Sequence, residues 1–169
     1  PRAASACRLP EVNLPLIGGT SPVRQTLLQE KYPIYCLELD RADTRYRDVD
    51  EIMDYLKGCV SAHASACFIA DFDHYAHTRS LPHGQIGEGI LAARNLVFCF
   101  GITLPDPHVL AVRPRSIGVA ETAQGFLITF MEAPMPIANS AMEEWAKGLR
   151  NLPKPIQSSI EGEPACASA

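Results

Sequence analysis

The chain has 169 residues, 47% of them hydrophobic and 20% charged, with a formal net charge of −4. That length fits one domain able to bury its own core. The mild negative charge and the lack of a polybasic run argue against nucleic acid and against a membrane surface.

The longest apolar run, Leu96 to Ile102, falls far short of the roughly 20 residues that a bilayer-spanning helix needs. Six cysteines stand at irregular spacings, at positions 7, 36, 59, 67, 99 and 166. No C-x-x-C pair occurs, which argues against zinc ribbons and thioredoxin-type redox motifs. Cys36, Cys67 and Cys99 lie in apolar strand-like runs and read as small buried hydrophobes. The opening residues lack the basic start and apolar stretch of a signal peptide, so a cytoplasmic location is expected.

Residues 1–24 are rich in Pro, Gly, Ser and Ala without a sustained period. They read as a flexible N-terminal arm or as sequence added to the native chain. A single domain is expected over 25–152, and a flexible tail over 153–169. Within the domain, Ile34 to Leu39 alternates as a strand does, with Tyr35, Leu37 and Leu39 on one face. Asp48 and Glu51 have capping-box spacing, and Val49, Ile52, Met53, Leu56 and Val60 follow at helical spacing. A helix over 49–62 is therefore predicted.

Cys67 to Phe72 reads as the next strand. A loop and a short helix over Glu88 to Ala93 are predicted to follow. Leu96 to Gly101 is apolar on both faces, which marks a central strand. Val109 to Val112 and Ile117 to Glu121 are strand-like pieces separated by Arg113-Pro114-Arg115, where the proline breaks the ladder. Gln124-Gly125 reads as a hairpin turn into Phe126 to Met131. Ser140 and Glu143 have capping-box spacing ahead of a final helix with Met142, Trp145, Ala146 and Leu149 on one face. The class predicted is α+β, with a mostly antiparallel sheet of about five strands and two main helices packed on one face.

The order of pieces, with Phe72-Asp73-His74 after the second strand and Leu96-Val97-Phe98-Cys99-Phe100-Gly101 in the third, resembles a bacterial family catalogued as domain-of-unknown-function family 302. The chain departs from that pattern at Ile102-Thr103, where the family has Asn-Pro. Phe72 to Thr78 and Val109 to Glu121 also look like a narrower uncharacterised group, family 6858. Neither resemblance supplies an activity. They imply a compact α+β domain, leave a homodimer open, and single out His74.

The chemistry-capable side chains crowd into Asp71 to His83, where a buried strand gives way to a loop. His74 and His77 are three apart, and His83 follows. Imidazoles so spaced can converge on a metal, with Asp73 as an added ligand or as the group that orients a histidine. The set suits zinc, iron, nickel or copper, with haem through one histidine as a secondary alternative. The bland reading is a solvated loop in which Asp73 caps a turn. His63 and His108 stand alone and read as structural.

Arg113 and Arg115 could present two guanidinium forks to a carboxylate or phosphate, with Arg79 joining either scheme. The bland alternative is a surface ion pair with Glu121 or Glu132. Three functions are therefore weighed. The first is a metal- or small-ligand-binding domain. The second is a non-catalytic homo-oligomeric interaction module. The third is an enzyme with His74 as general base, Asp73 orienting it, and the two arginines clamping a small anionic substrate. The third requires the histidines and the arginines to face one cleft.

Overall fold

In the computed structural model, residues 22–151 are described. The expected C-terminal tail, and the N-terminal arm apart from 22–24, lie outside them. Six strands form one antiparallel sheet: β1 Arg24–Leu28, β2 Tyr32–Asp40, β3 Ala66–Asp73, β4 Ala92–Phe100, β5 Arg115–Glu121 and β6 Gly125–Met131. Their order across the sheet is β1-β2-β6-β5-β4-β3. The helices are α1 Val49–Ala62, α2 His74–Ser80 and α3 Pro136–Lys147. The α+β class and the antiparallel sheet stand. The strand count is corrected from five to six, the two main helices expected on one face are α1 and α3, and the short α2 is a third.

Alternation explains which face is buried. Leu37, Leu39, Leu96, Phe98, Ile117, Val119, Phe126, Ile128 and Phe130 point to one side of the sheet and are buried there. Ile52, Met53, Leu56 and Val60 of α1, with Met142, Trp145 and Ala146 of α3, cover that side. Each large side chain contributes about 1.5–3 kcal/mol of transfer free energy, so this layer dominates stability. Phe100 stacks on Trp145 at 5.8 Å. His63 meets both rings edge-on, at 5.2 and 5.8 Å, and is a packing residue.

The start of α1 follows the predicted cap. Asp48 accepts a hydrogen bond from the Glu51 amide at 2.9 Å. Glu51 in turn accepts from the amide of Arg47 at 2.8 Å, one residue earlier than in a standard capping box. Arg41 bonds Glu121 at 2.7 Å, and the other carboxylate oxygen of Glu121 takes the free Val49 amide at 3.2 Å. A carboxylate at a helix N-terminus is favoured by the unpaired amides there. The buried Thr44 hydroxyl donates to the Leu149 carbonyl at 2.7 Å, tying the β2–α1 connection to the end of α3.

Three local expectations are corrected, and one strand is added. Residues 88–93 form no helix: a turn through Gly89, at φ 82°, leads directly into β4. Val109 to Val112 belongs to a 3-10 turn over Pro107–Val112, because Asp106 caps the His108 amide and Pro107 sits in its first turn. The final helix begins at Pro136, four residues before Ser140, and lacks a side-chain cap. The added strand is β1, starting at Arg24, for which the sequence carries no burial signal. All five of its residues are exposed, and pairing with β2 alone makes it one.

Gly125 begins β6 at a point of close approach. A Cβ there would lie 2.1 Å from the Leu39 carbonyl oxygen, so only glycine fits.

Candidate functional site

The histidine tract is helical. Asp73 ends β3 and caps α2, accepting the Ala76 amide at 2.7 Å, so its carboxylate is committed to the helix start. Successive strand residues diverge as expected. Asp71 pairs with Leu96 on the helix-covered side, and Phe72 pairs with Asn95 on the opposite side. His74 and His77 both pack against the Phe72 ring, with centroids at 4.6 and 5.3 Å. The Asn95 amide nitrogen lies 3.3 Å from Nε2 of His74. His83 is exposed in the turn after α2. Arg79 is exposed in the last turn of α2, where a cation suits the helix C-terminus.

The imidazoles thus flank an aromatic ring instead of converging. Among the described residues no group of three or more His, Cys, Asp or Glu side chains is placed to hold a metal ion. The expected metal set of His74, His77 and His83 therefore gains no support from the geometry.

The acid of the tract with the strongest partners is Asp71. Its carboxylate bonds Nε of Arg94 at 3.0 Å, and lies 2.8 Å from both Lys57 Nζ and Arg94 Nη2. Arg94 also pairs with Asp50. This network joins β3, β4 and α1 and is structural. Hydrogen bonding to Asp71 raises the Lys57 pKa.

The arginine pair lies elsewhere. A cavity of about 310 Å³ opens between the end of β4, the 3-10 turn, the start of β5 and α3. Its walls are chiefly apolar, with Phe100, Pro105, Val109, Val112, Met135 and Ala138, and Arg113 and Arg115 line it too. Arg115 Nη2 donates to the carbonyls of Met131 at 2.6 Å and Glu132 at 2.8 Å, and Nη1 donates to the Val112 carbonyl at 3.2 Å. Its Nε is shielded from solvent and has no acceptor among the described residues. Arg113 donates to the Thr103 carbonyl at 3.0 Å.

Among the described residues, neither guanidinium has a carboxylate partner. The expected ion pairs do not form, because Glu121 is engaged by Arg41 and Glu132 offers its backbone carbonyl. Partial burial lowers the Arg115 pKa, because desolvation disfavours the charged form.

β4 and β5 also separate the two candidate centres. Arg115 pairs with Phe98, on the helix-covered side near one end of β4. His74 reaches Asn95, which pairs with Gly118 on the opposite side. The residues forming the cavity walls, Phe100, Val109, Met135 and Ala138, were not singled out from sequence. Only the two arginines bracketing a proline signalled the place. No helix among the described residues is long and apolar enough to cross a membrane.

Comparison with curated proteins and with solved structures returns no match. The resemblance to domain-of-unknown-function family 302 is not confirmed, whereas the narrower one is. A family model matches residues 23–151, and the chain belongs to the family of unknown function DUF6858.

Proposed function

We propose that the domain binds a small organic anion with an apolar body, a monocarboxylate, in the cavity beside Arg113 and Arg115. The observation that carries this reading is the Arg115 guanidinium, which lines an apolar cavity bonded to carbonyls and to no carboxylate among the described residues. A half-buried cation without a carboxylate partner among the described residues gains from pairing with an anionic ligand. Nη2 of Arg115 is committed to Met131 and Glu132, which leaves its Nε–H, one Nη1–H and the Arg113 guanidinium on the same wall as single donors for a carboxylate. The apolar lining favours a ligand with a hydrocarbon or aromatic body over a free phosphate. A volume of about 310 Å³ is at the small end for ligand pockets.

The metal reading is not carried forward, because His74 and His77 are spent on Phe72 and Asn95. The enzyme scheme with His74 as base and the arginines as clamp is also set aside. Its parts occupy opposite faces of the sheet.

Calorimetric titration of the full chain with octanoate, octanamide and inorganic phosphate tests the proposal. Octanoate is expected to bind at least about tenfold more tightly than the neutral amide, a difference of about 1.4 kcal/mol. Equal binding of acid and amide, or binding of neither, would refute it.

A further inference from the structure

Two cysteines that read from the sequence as small buried hydrophobes stand directly opposite each other in the fold. Cys67 of β3 is the register partner of Cys99 of β4, and both are free thiols. Opposed residues of an antiparallel pair point to the same face of the sheet. Phe98 and Phe100, on either side of Cys99, are buried under the helices, so the two thiols lie on the other face. Cys67 is exposed and Cys99 is half-buried. β3 is an outer strand, and among the described strands β4 alone pairs with it.

The register also sets how close the two residues stand. The Gly101 amide donates to the Ser65 carbonyl at 3.0 Å, two positions along the same ladder. Hydrogen-bonded and non-hydrogen-bonded pairs alternate, so Cys67 and Cys99 form a hydrogen-bonded pair, with Cα atoms about 5.5 Å apart. Disulfide-linked residues have Cα atoms about 4.4–6.8 Å apart. Their Cβ atoms come within about 3.5–4.5 Å, whereas opposed strand residues hold them at about 4.5–5.5 Å. A bridge here is therefore within reach of the ladder but strained, and strained disulfides are the readily reduced ones. Neither thiol has a strong bond to give up. Each Sγ donates weakly to the carbonyl of the next residue, Phe68 or Phe100, at 3.5 Å.

We infer that Cys67 and Cys99 form a reversible dithiol–disulfide site, closed by a peroxide and reopened by a small-molecule thiol. The exposed Cys67 sulfur attacks one peroxide oxygen and becomes a sulfenic acid, and the other oxygen leaves as water. The Cys99 sulfur then attacks the Cys67 sulfur, the S–S bond forms, and a second water leaves. Two thiols are oxidised and one peroxide is reduced to two waters. Two small thiols reverse the bridge and leave as their own disulfide. The closed bridge fastens the outer strand β3, with α2 behind it, to β4. The site rests on no property of the anion cavity.

Peptide mapping of the full chain by mass spectrometry, after hydrogen peroxide and then alkylation, is the test. The wild type is expected to give a peptide linking Cys67 to Cys99 as its main disulfide. Reduced glutathione at about 5 mM should return both residues to alkylatable thiols. Cys99→Ser lacks the second thiol, so dimedone should trap sulfenic acid at Cys67 at least about tenfold more than in the wild type. Exchange of the β3 amides bonded to β4 should slow at least about tenfold on oxidation and recover on reduction.

Cys67 and Cys99 that both stay alkylatable after peroxide would overturn the inference. So would their linkage to other cysteines or to a second chain instead of to each other. A bridge that resists glutathione would be a permanent cross-link and would contradict reversibility, and unchanged β3 exchange would contradict the fastening. If Cys99→Ser does not fold, the wild-type map and its reversal decide alone.

Discussion

Arg115 Nη2 lies 2.6 Å from the carbonyl oxygen of Met131, and no carboxylate among the described residues approaches that guanidinium. The cation is held by backbone dipoles alone, at the edge of an apolar cavity. Such a placement fixes the fork rigidly without neutralising it.

Arg115→Lys should therefore keep the charge and lose the function. An ammonium cannot reproduce the bonds to Met131, Glu132 and Val112 together, and it offers a point charge where a fork is needed. Carboxylate affinity is expected to fall about tenfold or more, and stability by about 1–2 kcal/mol. Titration calorimetry and urea unfolding measure the two effects separately.

Val109→Phe should block the cavity from its half-buried wall. Val109 lies in the 3-10 turn and contributes to the lining, outside the buried core. Because that wall borders open space, the overpacking cost should stay below the roughly 1–3 kcal/mol seen in closed cores. Octanoate binding is expected to disappear while the melting temperature stays within a few degrees of wild type.

Asp71→Asn should destabilise the fold without touching the cavity. The carboxylate joins Lys57 of α1 to Arg94 of β4, and its side chain is 11% exposed. An amide keeps the shape and removes the charge. The expected cost is about 1–3 kcal/mol, read as a lower urea midpoint, with carboxylate affinity unchanged.

Glu51 carries a pH-dependent share of stability. Side-chain bonds from Arg47, then a backbone bond from the same residue, hold its carboxyl below its ordinary value. A carboxyl lowered in the folded state stabilises at neutral pH, and that contribution is lost as pH falls through the folded value. The wild type should have a higher urea midpoint than Glu51→Gln at about pH 7, and the gap should shrink as pH falls below the ordinary carboxylate range. A gap that stayed constant across that range would contradict the assignment.

What sequence revealed, and what it hid, follows from where burial supplies the signal. The helix over 49–62 is legible because its apolar stripe is buried and Asp48 caps it. β4 is legible from Leu96 onward because that run is apolar on both faces, and in the fold Leu96, Phe98 and Phe100 alternate into the core. α2 is not, because none of its seven residues is buried and no stripe exists to read. Asp73 was visible as a turn cap, although the turn it opens is a helix. The start of α3 is displaced because Pro136, with Asn139 bonding both backbone groups of Ala133, begins the helix before Ser140.

The candidate site was half legible. Arg113 and Arg115 stood out by their spacing around Pro114. Their place at an apolar cavity depends on Phe100, Met135 and Ala138 arriving from distant parts of the chain. Histidine density pointed elsewhere, because spacing along a sequence does not show that Phe72 stands between the rings.

The most direct test of the central claim is the side-chain nitrogen spectrum of Arg115, assigned by its loss in Arg115→Lys. Adding octanoate should shift the Nε–H signal of Arg115 and that of Arg113, with saturation at the calorimetric stoichiometry, while octanamide leaves both in place. Arginine signals that do not move while octanoate binds would place the ligand elsewhere and contradict the account.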